Sequence, residues 1–538
     1  MPNHIRRSAG VAGVFALAVS LLAVGATPAL ADVPSGNDDY KTTVAEYVAE
    51  RDHLVATYPD LARVVELPEP SSKGTPIWGL EITRDVDVPD GKPVFVQVGT
   101  HHGNEWTSTE LTWEFAWDLL TNADSPEYAD LLDSTRVVIV PLVNPDGFEA
   151  HTRATQTGID MNRNYGYGWI PSARGSGNGT AAWSEPETRN IQWLMSTRQA
   201  TVFNTQHTCI QVVLYPPLLK AAGLTQDNDR LHALAAEMAA ALGPTYTALP
   251  SGWDYETNGE AIDWTYYATR ALSVTTETCH PGVNNSRHNY KLEVGDYYPT
   301  FKNAVIVALR ETANPAQHSR ITGVAVPGTT LELSKAFPMY TRPHAQPDGT
   351  VAPVSFEQSL TSEMVVTNAD GSFTWAVNPS VRPAGAYTAE GVRDVSQLPA
   401  EEAFVTDEPW LLTCTTPDGA TQTVEVNVDL GQIAEVEMAE CAPDPVTAET
   451  TARALGGKVY LSVSATNFAR VPADIKVTTA YGSKTFTNVA PGTTVAVSVN
   501  SRLNAVPAGE ATVVSTVEMN GEITVNVAKA SYAAYPAD

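Results

Sequence analysis

The 538-residue chain is short of positive charge: Lys and Arg number 33 against 61 Asp and Glu, a formal net charge of −28. It therefore has no basic footprint for a phosphate backbone, which excludes nucleic acid as a partner. Four cysteines are too few for a disulfide scaffold to replace apolar cores in a chain of this size. Beyond residue 31 there is no apolar run of the roughly 20 residues that a membrane-spanning helix needs. The 36 glycines follow no collagen-like period, and 43% hydrophobic against 17% charged residues is a balance that packs cores and argues against bulk disorder. The acidity is spread along the chain, as expected of a solvated surface, and says little about chemistry.

What is present begins with a targeting segment. His4, Arg6 and Arg7 precede an apolar run from Val11 to Val24, and Ala29-Leu30-Ala31 forms an A-x-A cleavage signal before Asp32. Residues 1–31 are therefore expected to be a signal peptide with export of the rest, of the general secretory type in preference to the twin-arginine type that the Arg6-Arg7 pair also allows. Tryptophan then divides the chain. Nine of the 11 lie before residue 316, and only Trp375 and Trp410 follow, where short alternating Val- and Thr-rich runs take over.

In the first part, Val44 to Tyr58 and Leu231 to Leu242 have helical spacing, while Pro93–Val98, Val137–Val143, Thr201–Thr205 and Leu272–Thr276 are short apolar or β-branched runs suited to a buried sheet. This predicts an α/β domain over 32–316, with a mixed, mostly parallel sheet flanked by helices. Thr322–Leu333, Ser372–Val377, Thr421–Val428, Val459–Ala465, Asp474–Ala480, Thr494–Val499 and Thr512–Val517 read as strands of two all-β sandwich-like modules, 317–442 and 446–538, with a linker at Pro443–Pro445. In an exported chain the four cysteines permit two disulfides in three connectivities. Cys414 and Cys441 share a module and are paired on that ground, leaving Cys209 with Cys279; the alternative is free buried thiols.

The polar motifs fall where strands end. Val98 leads into Thr100-His101-His102-Gly103-Asn104-Glu105, Val143 into Asn144-Pro145-Asp146-Gly147, Thr205 into Gln206-His207, and Thr276 into Glu277. Ligands of an open α/β sheet bind outside the carboxyl ends of its strands, so these motifs are expected to share one crevice. His102 and Glu105 in H-x-x-E spacing, with His207, are two imidazoles and a carboxylate, the ligand set of a catalytic zinc that leaves its fourth position to water. Zinc lowers the pKa of that water to about 7 and polarises a carbonyl, the two demands of amide hydrolysis. Alone, H-x-x-E arises readily by chance, and a lone histidine is more often a satisfied core or surface residue.

Together with Gly158-Ile-Asp-Met-Asn162-Arg163-Asn164, Ser184-Glu-Pro-Glu-Thr188, Leu214-Tyr215-Pro216, Tyr255 and Ile262-Asp263-Trp264, these motifs resemble, in order from about Tyr40 to Ala313, the zinc metallocarboxypeptidases typified by pancreatic carboxypeptidases A and B. The resemblance implies one Zn2+ on His102, Glu105 and His207, with His102 and not His101 at the three-residue step to Glu105. It implies Glu277 as general base, Arg153 as oxyanion stabiliser, and Asn162 and Arg163 as the grip on a substrate's terminal carboxylate, closed over by Tyr255. The position before the metal glutamate, usually arginine in the pancreatic enzymes, is Asn104. Ile262 is expected at the base of the side-chain pocket, favouring apolar terminal residues; Glu260, close by and acidic as in carboxypeptidase T, adds basic ones. Ile321–Val326 and Asp370-Gly371-Ser372-Phe373 loosely resemble a transthyretin-like domain, and 446–538 is immunoglobulin-like in strand pattern alone.

The expected function is that of a secreted exopeptidase acting on peptide and protein C-termini. Two alternatives stay open. One is an amidohydrolase of the same superfamily acting on cell-wall peptides or acylated amino acids. The other is a non-catalytic surface-binding protein whose β modules take a surface or polymer ligand.

Overall fold

The computed structural model describes residues 33–172, 177–279, 289–469, 471–519 and 522–536; the expected signal peptide lies outside them. An eight-stranded sheet organises the first part: β1 (Ala62–Glu66), β2 (Trp78–Ile82), β3 (Val94–Gly99), β4 (Arg136–Val140), β5 (Ala200–His207), β6 (Val212–Tyr215), β7 (Thr247–Pro250) and β8 (Leu272–Glu277). Their order is β1-β2-β4-β3-β5-β8-β6-β7. The central pairs β4/β3, β3/β5 and β5/β8 are parallel, whereas β1/β2, β2/β4 and β8/β6 are antiparallel. Every residue of β3, β4 and β5 is buried, which is why these strands read as continuous apolar or β-branched runs and not as alternating ones.

Helices cover the sheet, among them Val44–Thr57, Trp106–Thr121, Asn228–Leu242 and Tyr298–Ala313. The helix Asn228–Leu242 stops at Gly243, whose φ of 133° lies where an L side chain would be strained. No helix among the described residues is long and apolar enough to cross a membrane.

From Ser319 onward the structure is almost wholly β. The run Thr322–Leu333, expected as one strand, is two, Ser319–Val324 and Thr330–Tyr340. The break is a turn at Val326-Pro327-Gly328-Thr329, closed by Thr329 N donating to Val326 O at 2.9 Å, with Gly328 at φ 86°. The strands after Ser319 form a four-stranded and a three-stranded sheet plus short hairpins, and those from Val446 form a second three-plus-four pair. Both disulfides, Cys209–Cys279 and Cys414–Cys441, are formed.

The apolar core does not end where the α/β pattern ends. One continuous cluster runs from Val33 to Cys441 and includes Trp264, Tyr167, Trp375 and Trp410. Polar contacts cross the same seam: Trp264 Nε1 donates to Gln358 at 2.9 Å, Ala386 N to the Tyr167 hydroxyl at 2.7 Å, and Asn378 Nδ2 to Ala200 O at 2.7 Å. Residues 446–532 instead pack in separate clusters around Val463, Ile475 and Val513 and around Val459, Leu461 and Tyr532.

Candidate active site

Three strand ends and two loops build the site. His207 and Glu277 are the last residues of β5 and β8 and stand opposite one another in the parallel ladder. His102 and Glu105 lie in the loop between β3 and the helix Trp106–Thr121. Gly103 allows that loop to lie flat on the Asn144–Gly147 turn, since a Cβ there would stand 2.0 Å from the Gly147 carbonyl carbon. Asn144 caps the short helix Pro145–Ala150, and its Nδ2 donates to His101 O at 3.3 Å. Asp146 is taken up by Ser71, Lys73 and Thr75 and so belongs to the scaffold.

His102, Glu105 and His207 are all buried, and their ligand atoms lie within 4.8 Å of one another. His102 Nδ1 is 2.7 Å from Glu105 Oε1 and 3.1 Å from His207 Nδ1, which is 3.3 Å from Glu105 Oε2. Tetrahedral zinc with ligands at about 2.0–2.1 Å sets its donors about 3.3 Å apart, so this donor set fits the ion in spacing as well as chemistry. Glu105 Oε2 also accepts from Thr208 N at 3.0 Å. His101 lies outside the trio, its ring engaged by Tyr165 and Thr205.

Glu277 lines the same cleft. Its Oε2 is buried without a hydrogen-bond partner among the described residues. Burial, with the Glu105 carboxylate close by, pushes its pKa up to about 8. Arg153 is half exposed; its Nε donates to Asp160 at 3.0 Å and its Nη1 is 3.5 Å from Glu105. Arg163, largely buried, donates to Glu260 Oε1 at 2.8 Å and to the Tyr255 hydroxyl at 3.0 Å. Burial works against the Arg163 charge, but Glu260 and Asp160 outweigh it and raise its pKa. Asn162 holds the loop closed by accepting from Ala261 N at 3.2 Å. Tyr255, 54% exposed, stands over the mouth.

A family model described as zinc carboxypeptidase matches residues 47–294. That stretch is similar to zinc carboxypeptidases. Carboxypeptidase B of Helicoverpa zea is 29% identical over 266 residues, 44% of this chain and 58% of the relative. A metallocarboxypeptidase A of Trichophyton rubrum is 25% identical over 225 residues, 36% of this chain and 53% of the relative. The chain thus spans little more than half the length of these curated relatives. Among solved structures, carboxypeptidase A from Helicoverpa armigera aligns with a TM-score of 0.46 at 22% identity, covering 53% of this chain and 78% of that one.

Within the α/β part, the cleft of about 240 Å³ is lined by His102, Glu105, Arg153, Asn162, Arg163, His207, Tyr255, Glu260 and Glu277 among others. Ile262 is not among them. It is fully buried on the helix Ala261–Thr269 and belongs to the core, so Ile210, Leu214, Ser251 and Thr275 supply the apolar and small walls expected of it. Asp160 was not singled out from the sequence as functional, yet it contacts both His102 Nε2, at 3.2 Å, and Arg153. A ligating imidazole needs an acceptor for its other nitrogen, and an acid two residues before Asn162 in the same motif was the available signal.

Proposed function

We propose that the chain is a secreted carboxypeptidase that uses one Zn2+ to hydrolyse the last peptide bond of peptides and proteins. The observation that carries this reading is the meeting, in one cleft, of the His102–Glu105–His207 donor set, the raised carboxyl of Glu277 and the Arg163 guanidinium. When bound, zinc supplies a Lewis acid and a water of lowered pKa. Glu277 takes a proton from the attacking water and returns it to the leaving amine; a carboxyl held near neutrality is suited to both transfers. Arg153, tethered by Asp160, faces the cleft as a donor to the developing oxyanion. Arg163 and Asn162 take the terminal carboxylate, with Tyr255 as a second donor, and planar guanidinium recognition of that group makes the enzyme an exopeptidase.

For the released residue we propose apolar side chains first, because the walls around Leu214 and Ile210 are apolar and Glu260 is already paired with Arg163. Glu260 is the carboxylate positioned to meet a basic side chain. Export is supported by the Arg6-Arg7 and A-x-A signal and by the two disulfides.

Glu277→Gln keeps the shape of the base and removes its function. Its kcat/KM on blocked peptides is expected to fall about 10²–10⁴-fold with zinc content unchanged. Release that survives chelation, or a Glu277→Gln enzyme of full activity, would overturn the reading. Glu260→Gln should reduce release of terminal Arg more than that of Leu or Phe.

A further inference from the structure

The two imidazoles of the donor set are supported in different ways. His102 Nε2 faces a carboxylate, Asp160, at 3.2 Å. His207 Nε2 faces a neutral hydroxyl, Thr205 Oγ1, at 3.1 Å, from two residues back on β5 and therefore on the same face of the sheet. Thr205 Oγ1 is in turn 2.8 Å from His101 Nδ1, and His101 Nε2 is 2.8 Å from the Tyr165 hydroxyl. All four side chains are buried. The His101 and His207 rings stack with centroids 5.4 Å apart, and Tyr165 stacks on Trp264, the residue held from across the seam by Gln358.

We infer that Thr205, His101 and Tyr165 form a hydrogen-bonded chain that gives His207 Nε2–H its acceptor and holds the ring in its orientation for metal binding. This rests on the zinc reading above. A cation at His207 Nδ1 makes the chain directional. With a cation at Nδ1, a neutral His207 carries its proton on Nε2 and donates it to Thr205 Oγ1. The threonine has one proton of its own to give, and its acceptor is His101 Nδ1. His101 then carries its proton on Nε2 and donates to Tyr165. The competing tautomer of His207, with its proton on the metal-facing nitrogen, requires every bond of the chain to reverse, Tyr165 donating to His101 Nε2, His101 Nδ1–H to Thr205 and Thr205 to His207 Nε2, so it is the cation at Nδ1 that selects the first direction. His101 is thus a positioning residue for the neighbouring ligand set, and the second histidine of the His101-His102 pair has a different task from the first.

The test is zinc affinity of the full chain, measured by chelator competition on metal-stripped protein, with the melting curve of the same metal-free protein as a control on folding. Thr205→Val keeps the shape of the side chain and removes the hydroxyl, so Nε2–H of His207 loses its acceptor. Loss of such a support costs about 10–100-fold in metal affinity, and that is the expected fall. Thr205→Ser restores the hydroxyl and should bind zinc within about threefold of the wild type, a rescue that a packing role for the threonine methyl would not produce. His101→Phe, which removes the acceptor for Thr205 but keeps a ring, should fall between the two. A Thr205→Val protein that binds zinc as tightly as the wild type overturns the chain, and so does a Thr205→Ser protein as weak as Thr205→Val. Wild-type protein that takes up no stoichiometric zinc is a separate outcome, which sinks the zinc reading and this inference together.

Discussion

The strands from Ser319 to Glu435 and those from Val446 to Tyr532 are built from similar sequence, short Val- and Thr-rich runs broken by Gly and Pro, yet they relate to the α/β fold in opposite ways. The first set shares its core with the α/β part: Trp375, Trp410 and Tyr387 belong to the same apolar cluster as Trp264 and Tyr167. The second set closes its own cores and leaves Ile523, Val525 and Val527 exposed on its last strand. The difference lies in large side chains. Trp, Tyr and Phe reach across a seam between layers and bury large areas there, whereas Val and Ala fill a thin sandwich and reach no further. A β region can therefore follow an α/β fold in the chain and still be part of its interior.

Cutting the chain tests this most strongly. A protein ending at 442 loses only self-contained sandwich and should keep its fold and its release of terminal residues within about twofold, since surface-separated parts contribute near-independently. A protein ending at 316 exposes Trp264, Tyr167 and the rest of the shared face. It should fail to give a cooperative melt by circular dichroism, the sum of several large-to-nothing core losses of about 3–5 kcal/mol each exceeding the 5–15 kcal/mol that holds a domain together. A stable, active 1–316 protein would show that the shared core is dispensable.

A single residue tests the same seam more gently. Arg270 is buried and joins Asp227 of the α/β part, at 2.8 Å, to Asp429 of the β region, at 2.7 Å. Arg270→Ala leaves the Asp227 carboxylate buried without its main partner, and about 3–5 kcal/mol of stability should be lost, read as a lower denaturation midpoint in urea. Asp429→Asn, which removes only the more exposed of the two acids, should cost much less.

The eight-stranded sheet is legible because its central strands are buried on both faces and end in polar motifs: the runs at Val137, Thr201 and Leu272 each fall within a residue or two of an observed strand start. His102, Glu105, His207, Glu277, Arg163, Tyr255 and Glu260 come together in the cleft because each lies at or just beyond the end of a strand or helix, and Arg153 joins them from the loop after the helix Pro145–Ala150. What sequence missed has a common physical cause. Ile262 was placed by resemblance, but whether one turn of helix faces a pocket or a core depends on a rotation that spacing does not report. Asp160 and Thr205 act through the side chains they touch, and the contacts of Asp160 with His102 and of Thr205 with His101, 58 and 104 residues apart, leave no local pattern. The shared core was invisible for the same reason: the tryptophan boundary near 316 marks a change of secondary structure, and nothing in a strand pattern says what it will pack against.

The seam also carries a titration. His318 is buried at the start of the β region, next to Arg320, and burial together with that charge lowers its pKa to about 4. In the unfolded chain it titrates near 6.5. Between those values the unfolded state binds the proton and the folded state does not, so stability is full above about pH 6.5 and falls as pH drops towards 4, by about 2–3 kcal/mol. His318→Gln should flatten that part of the stability profile without altering the profile above pH 7. An unchanged slope would locate the acid sensitivity elsewhere.

The smallest effect belongs to the self-contained region. Lys529 and Glu510 pair across its last two strands at 2.9 Å, with side chains 63% and 43% exposed. Two long side chains ordered in water gain little from such a contact, and it is screened by salt. Lys529→Ala should therefore change stability by no more than about 0.5 kcal/mol and leave zinc content and release of terminal residues untouched, against the several kcal/mol expected at Arg270. Measured side by side, the two arginine and lysine variants ask whether a charge pair matters because of its distance or because of where it is buried. A Lys529→Ala loss as large as that of Arg270→Ala would mean that the last sandwich is coupled to the α/β fold after all.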